Sequence, residues 1–195
     1  MQYVTLKIQL VDTDISRTIV VPDGWTMEKL SAAIQAAFGW QDCHLWVFNR
    51  DDGEEIGLPE MLDDDFRAVV RHEAKSARRA KIRDCFPAKG AKLEYEYDFG
   101  DSWAHRITRM ADPKIAEVAC VKTTGVMGIE DIGGVGGLMD FVAALRKYEA
   151  NPTKPKGWFK EVFDWVGCKD ELTRKRILTP PEKEFITEKI RQAVG

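Results

Sequence analysis

The residues best placed by type to do chemistry are concentrated in three short stretches. Residues 95–107 read YEYDFGDSWAHRI and supply Asp98, Asp101, Trp103 and His105; Glu130 and Asp131 are adjacent acids before a glycine run; His44 and Trp46 lie in CHLWVF. Carboxylates at Asp98, Asp101, Glu130 and Asp131 could hold a divalent ion, with His105 as general acid or base. The spacing permits a sharper expectation. If Gly100-Asp101 form a two-residue hairpin turn of type II′, Phe99 faces Ser102, Asp98 faces Trp103, Tyr97 faces Ala104 and Glu96 faces His105. Glu96, Asp98, Trp103 and His105 would then share one face, and Tyr95, Tyr97 and Arg106 the other. Two carboxylates beside a histidine could tune its proton affinity. The plainer alternative is a surface ladder of charge pairs at roughly 0.2–1 kcal/mol each, and a turn one residue longer would dissolve the cluster by shifting the register.

Other site chemistries find little support. Asp98-Phe99-Gly100 matches the magnesium tripeptide of protein kinases, but the phosphate loop, strand lysine and H-R-D motif are missing. The run Gly133–Gly137 (GGVGG) lacks the Lys-Ser/Thr of a P-loop and the dinucleotide spacing; its glycines, Gly133 and Gly134 first, suit a turn where backbone passes close to backbone. Glu130-Asp131 beside it read most simply as a helix cap. There is no G-x-S-x-G, and if Cys43 and His44 belong to a strand their side chains point to opposite faces. The four cysteines, Cys43, Cys85, Cys120 and Cys168, never form a C-x-x-C pair, which disfavours a zinc finger and suggests reduced, mostly buried thiols. His44, His105 and Cys120 remain weak metal candidates. No cofactor is favoured, although a divalent metal is compatible with the acids.

The elements that must position these groups are partly readable. Val4, Leu6, Ile8 and Leu10 alternate with Thr5, Lys7 and Gln9, the pattern of a half-buried strand. A second strand spans about Arg17 to Val21 and ends at Pro22-Asp23-Gly24. Met27, Leu30, Ile34 and Ala37 or Phe38 fall at helical spacing between Thr26, a suitable N-cap, and Gly39, a suitable left-handed C-cap. CHLWVF supplies a third strand, giving the β-β-α-β order of a ubiquitin-like α+β half-domain. Leu93–Phe99 and Trp103–Met110 complete a mixed sheet as a central hairpin. C-terminal helices pack alongside: one carrying Leu138, Phe141, Val142 and Leu145; one with Phe159, Val162, Phe163 and Val166 inward; and one from Thr179 as N-cap and Pro180 in the first turn, with Phe185, Ile186, Ile190 and Val194 inward.

With 195 residues, 44% hydrophobic and 31% charged, one domain over 1–195 is the default: a β-β-α-β half (1–50), a charged insert (51–92), the signature hairpin with its glycine loop and helix (93–150), and terminal helices (151–195). Within the insert, Asp51–Asp65 hold eight acids and no base, whereas Arg71–Lys92 hold eight bases against Glu73 and Asp84. Residues 64–86 are compatible with a long helix or with a short helix and loop, and should be the most mobile part. Its basic half lacks the interleaved aromatics of a single-strand platform, so any nucleic-acid contact there would be to phosphates. Neither a membrane span nor a secretion signal is visible, which points to the cytoplasm.

YEYDFGDSWAHRI, IQAAFGWQDCHLWVF and GIEDIGGVGG together resemble the plasmid Ri open-reading-frame-three-like family, whose members also occur as resolvase-like passenger proteins of insertion elements. The resemblance covers about Tyr3 to Tyr148. Phe38-Gly39-Trp40 and His44 match its upstream box; Asp98, Gly100, Asp101, Trp103 and His105 its central box; Cys120, Glu130, Asp131, Gly133 and Gly134 its downstream box. It implies a compact α+β fold with the same β-β-α-β start and no established activity. Where the family has His-Leu-His this chain has His44-Leu45-Trp46, and Met127, Gly128 and Ile129 replace a second cysteine and a Pro-Pro pair, so two metal-ligand candidates are lost. No residue set here suits the phosphoserine chemistry of a recombinase. Three functional readings follow: a binding or accessory module in mobile-element or nucleic-acid transactions, its partner a nucleic acid or a protein; a metal-dependent hydrolase or nuclease using the Asp/His cluster; and an interaction scaffold working through residues 51–92. The second requires the three boxes to converge.

Overall fold

A computed structural model describes residues 1–58 and 75–195. The expected β-β-α-β start is present. Strand β1 (Tyr3–Leu10) buries every second residue and pairs antiparallel with β2 (Ser16–Pro22), Tyr3 opposite Pro22 and Gln9 opposite Ser16. Helix α1 (Met27–Phe38) begins where the Thr26 side chain accepts from the Lys29 N–H and ends at Gly39, which takes φ 91°. Strand β3 follows at Trp46–Asn49, three residues later than CHLWVF suggested; residues 41–45 are irregular.

Beyond β3 lie β4 (Glu55–Gly57), β5 (Lys75–Ser76), a single helical turn α2 (Ile82–Cys85), and the hairpin β6 (Lys92–Tyr97) with β7 (Trp103–Arg109). The helix expectation for residues 64–86 falls in part on 59–74, outside the described residues. Strand β8 (Ala119–Thr124) was not expected, because its burial does not alternate: it is an edge strand against β2, with a register shift between Thr18 and Ile19. Among the described residues eight strands form one sheet in the order β5-β4-β3-β6-β7-β1-β2-β8, antiparallel except for β4 with β5.

Helix α1 covers one face. Leu6, Ile8, Leu10, Tyr95, His105 and Ile107 are buried beneath Leu30, Ile34 and Phe38, each large aliphatic removing about 1.5–3 kcal/mol worth of apolar surface from water. The Tyr95 hydroxyl reaches Ser31 Oγ at 2.9 Å and accepts from the Gln35 amide nitrogen at 2.8 Å, while Gln35 Oε1 and the Trp103 indole N–H are buried without a partner among the described residues.

The hairpin register differs from expectation. Tyr97 pairs with Trp103, Glu96 with Ala104 and Tyr95 with His105, which leaves the odd-numbered loop Asp98–Ser102. The cause is only partly local to the turn. The Asp98 N–H donates to Leu45 O at 2.9 Å, the Ser102 N–H donates to Asp98 O at 2.6 Å, and Asp98 and Ser102 both take positive φ (54° and 52°). Every cross-strand pair therefore shifts face. Trp103 and His105 turn into the core with Tyr95 and Tyr97, while Glu96 faces outward and accepts from Ser102 Oγ. The predicted Glu96–Asp98–Trp103–His105 face does not exist.

Helices α3 (Gly134–Ala150), α4 (Gly157–Trp165), α5 (Glu171–Leu178) and α6 (Lys183–Val194) close the chain. In α3, Leu138, Phe141, Val142 and Leu145 are buried as their spacing requires; in α4, Val162 and Phe163 are buried and Phe159 and Val166 only partly. Helix α5 buries no residue, so no apolar period announces it; its start is fixed by Asp170, which accepts from the Leu172 and Thr173 N–H groups. Thr179 closes α5 instead of capping α6, its hydroxyl donating to Lys175 O. Residues before proline avoid the helical region, so Pro180-Pro181 push the start of α6 to Lys183. In α6, Ile186 and Ile190 are buried, but Phe185 is 50% exposed. This helix lies against β8, where the Cys120 N–H donates to Thr187 Oγ1. Among the described residues no helix is long and apolar enough to cross a membrane.

Candidate metal centre

One end of the sheet gathers the three boxes. Gly39 stops α1, and Trp40 then packs against Gly128, where a Cβ would come within 2.2 Å of the indole. The Gly128 N–H donates to Phe38 O at 2.8 Å. This seam binds the loop after α1 to the loop before α3. The hairpin tip joins both: Asp98 N–H to Leu45 O on one side, and Gly133 N–H to Asp101 Oδ2 at 3.0 Å on the other. Gly134, at φ 67°, brings α3 so near that a Cβ would stand 2.5 Å from Asp101 O, a close approach only glycine permits.

Into this junction His44, Asp98, Glu130 and Asp131 project. His44 Nε2 lies 3.0 Å from Asp131 Oδ1, 3.7 Å from Asp98 Oδ2 and 3.7 Å from Glu130 Oε1. The Cys43 thiol joins them: the ligand atoms of Cys43, His44 and Glu130 lie within 4.8 Å of one another, as do those of His44, Asp98 and Asp131. The inner carboxylates are held by other groups. Asp98 Oδ1 accepts from the Gly100 N–H, which leaves Oδ2 toward His44. Glu130 Oε2 accepts from the Gln41 N–H and Oε1 from the Tyr97 hydroxyl at 2.7 Å. Burial, reinforced by this bond to Glu130, raises the Tyr97 phenol above its ordinary value, so it remains a donor.

The electrostatics are one-sided. Asp98 and Glu130 are 11% and 3% exposed at the side chain, and among the described residues the His44 imidazole is the only basic group within ion-pair distance of them or of Asp131. Three carboxylates against at most one positive charge is a site that favours a cation. Metal–ligand bonds of about 2.0–2.2 Å place neighbouring ligands roughly 2.9–3.6 Å apart, close to the spacings seen around His44.

The remaining candidates lie elsewhere. Asp101 ties the hairpin tip to Gly133 and is outside both donor sets. Glu130 and Asp131 do not cap α3: its N-cap, Gly133, makes no side-chain capping bond. Trp46 is buried against Phe48 and Tyr95, and Trp103 packs 4.4 Å from Trp40 within the core. Cys120 is buried on edge strand β8. His105 is fully buried, with Nε2 accepting from the Trp40 indole at 3.3 Å and Nδ1 donating to Tyr95 O at 3.3 Å. Burial lowers its pKa to about 4. Sequence reading missed Cys43, Tyr97 and Gln41. Placing Cys43 and His44 on a strand sent them to opposite faces, whereas the irregular backbone at 41–45 brings both to one junction; the signal was present in Gly39, which ends α1 just ahead of Gln41-Asp42.

The model of the plasmid pRiA4b ORF-3-like protein family matches residues 2–171. An uncharacterized protein, y4hQ, of Sinorhizobium fredii is 33% identical over 174 residues, covering 86% of this chain and 82% of that protein. The crystal structure of MM3350, a protein of unknown function from Methanosarcina mazei, superposes with a TM-score of 0.65 at 27% identity, covering 87% of this chain and 90% of the other.

Proposed function

The chain belongs to the plasmid pRiA4b ORF-3-like family, and from the site it carries we propose that it is a divalent-cation-binding accessory protein whose metal engages an anionic ligand at the end of the sheet. The observation that supports this reading is the convergence on His44 Nε2, within 3.0–3.7 Å, of carboxylates from two distant segments, the hairpin tip and the loop before α3. Room for a ligand is at hand. A cleft of about 650 Å³ opens at the same end of the sheet, lined by the β1–β2 turn with its Asp12 and Asp14, Arg106, Val126 and, on α3, Met139 and Arg146, and sharing no described lining residue with the His44 junction. A phosphodiester of a mobile element is one ligand class compatible with a bound cation and with Arg146, the cleft's other arginine, Arg106, being paired with Glu94 at 3.4 Å. Isothermal titration with Mn²⁺, Zn²⁺ and Mg²⁺ tests the reading. At least one of these ions should bind one per chain, and His44→Ala and Asp98→Asn should each weaken it by about 10–100-fold; wild-type protein that binds none of them ends the proposal.

A second reading, a metal-dependent phosphodiester hydrolase, is favoured by the exposure of the outer ligands. The His44 and Asp131 side chains are 33% and 61% exposed, so a cation there would keep positions open to water, which it could activate as a nucleophile. His105 does not take part in this scheme. The expected result is slow hydrolysis of bis(p-nitrophenyl) phosphate by metal-loaded protein, abolished in Glu130→Gln and retained in His105→Gln. Turnover no higher than metal alone would leave only the binding reading. The scaffold reading through residues 51–92 falls in part on 59–74, outside the described residues.

A further inference from the structure

Two overlapping donor sets share His44, and they differ in chemical character. His44, Asp98 and Asp131 offer one nitrogen and two oxygens; Cys43, His44 and Glu130 offer sulfur, nitrogen and oxygen. One imidazole nitrogen ligates one cation, so a bound ion takes ligands with reference to His44 from one set first. Hard cations favour the set with two carboxylate oxygens, and borderline ions the set containing sulfur.

Several observations favour the sulfur-containing set. Cys43 is the one exposed thiol among four cysteines; Cys85, Cys120 and Cys168 are buried elsewhere in the core. Its backbone N–H donates to the Tyr97 hydroxyl oxygen at 3.3 Å, and its Sγ lies 3.7 Å from the same oxygen. That hydroxyl in turn donates to Glu130 Oε1. A single tyrosine therefore fixes both Cys43 and Glu130, the kind of outer support that orients metal ligands. Glu130 is also the most desolvated carboxylate of the junction, at 3% side-chain exposure, against 61% for Asp131.

Resting on the metal-binding reading above, we infer that Cys43 is a thiolate ligand and that Cys43, His44 and Glu130 hold a borderline cation of the zinc or cobalt class in preference to magnesium. On binding, the Cys43 S–H bond breaks, its proton leaves to solvent, and the sulfur pair forms the bond to the metal; the Nε2 proton that His44 shares with Asp131 Oδ1 at 3.0 Å leaves to solvent while Nδ1 takes one up, so that His44 ligates through unprotonated Nε2. Three protein ligands leave a fourth position, the pattern of an open zinc site. Asp98 Oδ2, 3.7 Å from His44 Nε2, is a positioning residue that would accept a hydrogen bond from water in that position.

Cobalt provides the test. Full-length protein titrated with Co²⁺ should develop a thiolate-to-cobalt charge-transfer band in the near ultraviolet together with the visible bands of tetrahedral cobalt. Cys43→Ser, at an exposed loop position, should fold as the wild type by circular dichroism, lose the near-ultraviolet band and bind Zn²⁺ about 10–100-fold more weakly, while Mn²⁺ affinity stays within about twofold. Asp98→Asn should keep the charge-transfer band. Cobalt binding without a thiolate band, or a band that persists in Cys43→Ser, overturns the thiolate assignment but leaves cation binding by the carboxylates intact. Failure of Co²⁺, Zn²⁺, Mn²⁺ and Mg²⁺ alike to bind overturns both.

Discussion

Arg17→Met should unfold at markedly lower denaturant concentration than wild type, with a loss of about 3–5 kcal/mol. Arg17 sits in β2 opposite Ile8, completely buried. Its guanidinium meets backbone carbonyls instead of an acid. Nε donates to Ala37 O, Nη1 to Ser16 O and Thr124 O, and Nη2 to Val126 O, at 2.6–3.0 Å. The guanidinium also lies over the Phe38 ring, its carbon 5.2 Å from the centroid. Burial lowers the Arg17 pKa to about 10, so the group remains charged at neutral pH and its bonds are charge-assisted. Methionine fills similar volume but leaves four carbonyls without this donor, each costing about 1–3 kcal/mol if desolvated and unmatched. Lysine, with one nitrogen in place of a planar fork, should recover less than half of the loss. The effect should also reach the metal centre. Arg17 joins the end of α1 to residues 124–126, and that segment leads to Glu130 and Asp131. Cation affinity in a marginally folded Arg17→Lys protein should therefore fall although no ligand is changed. Chemical denaturation monitored by tryptophan fluorescence measures the first outcome and titration calorimetry the second; a loss under about 1 kcal/mol in Arg17→Met would show that water replaces the guanidinium without penalty.

The sequence was most legible where one element decides its own boundary. Thr26 and Gly39 act within a turn of α1, and the alternation of β1 needs only a buried face, so both were readable. The hairpin register was not. It goes with a five-residue loop in which the Asp98 N–H reaches Leu45 O, more than fifty residues away in the chain, while Ser102 closes back on Asp98 O and both residues take positive φ; that loop sends His105 inward. Edge strand β8 and helix α5 carry almost no apolar period, because α6 covers the first from one side and the second covers others without burying itself. At the site, four of the five converging donors, His44, Asp98, Glu130 and Asp131, could be nominated by residue type and by family resemblance. Their convergence could not, since it depends on contacts among three loops, and Cys43 was hidden by extending β3 into an irregular segment. His105 shows the opposite error: a residue type suited to catalysis occupies a position that serves packing.

That position makes His105 a source of acid sensitivity. The Trp40 indole can only donate, so His105 Nε2 must present a lone pair, and Nδ1 carries the proton given to Tyr95 O. Protonating Nε2 would set two N–H groups against each other in a site sealed by Phe38, whose ring stands edge-on at 4.6 Å. The folded pKa is accordingly lowered to about 4, chiefly by desolvation, from the 6.5 of a free imidazole. In the unfolded chain the imidazole binds a proton as pH falls below 6.5, while in the folded chain it does not until about pH 4. The contribution is therefore fully present above pH 6.5 and is lost progressively as pH falls from 6.5 toward 4, by up to about 3 kcal/mol. Carboxylates also titrate in this window, so the difference between wild type and His105→Gln isolates the histidine. Glutamine can accept from Trp40 and donate to Tyr95 without titrating. The variant should be less stable at pH 7 through imperfect fit, yet its stability should decline less steeply between pH 6.5 and 4, so that the two curves converge. Parallel curves across that range would mean that His105 is protonated in the folded state as readily as in the unfolded one, and would return it to consideration as an acid or base.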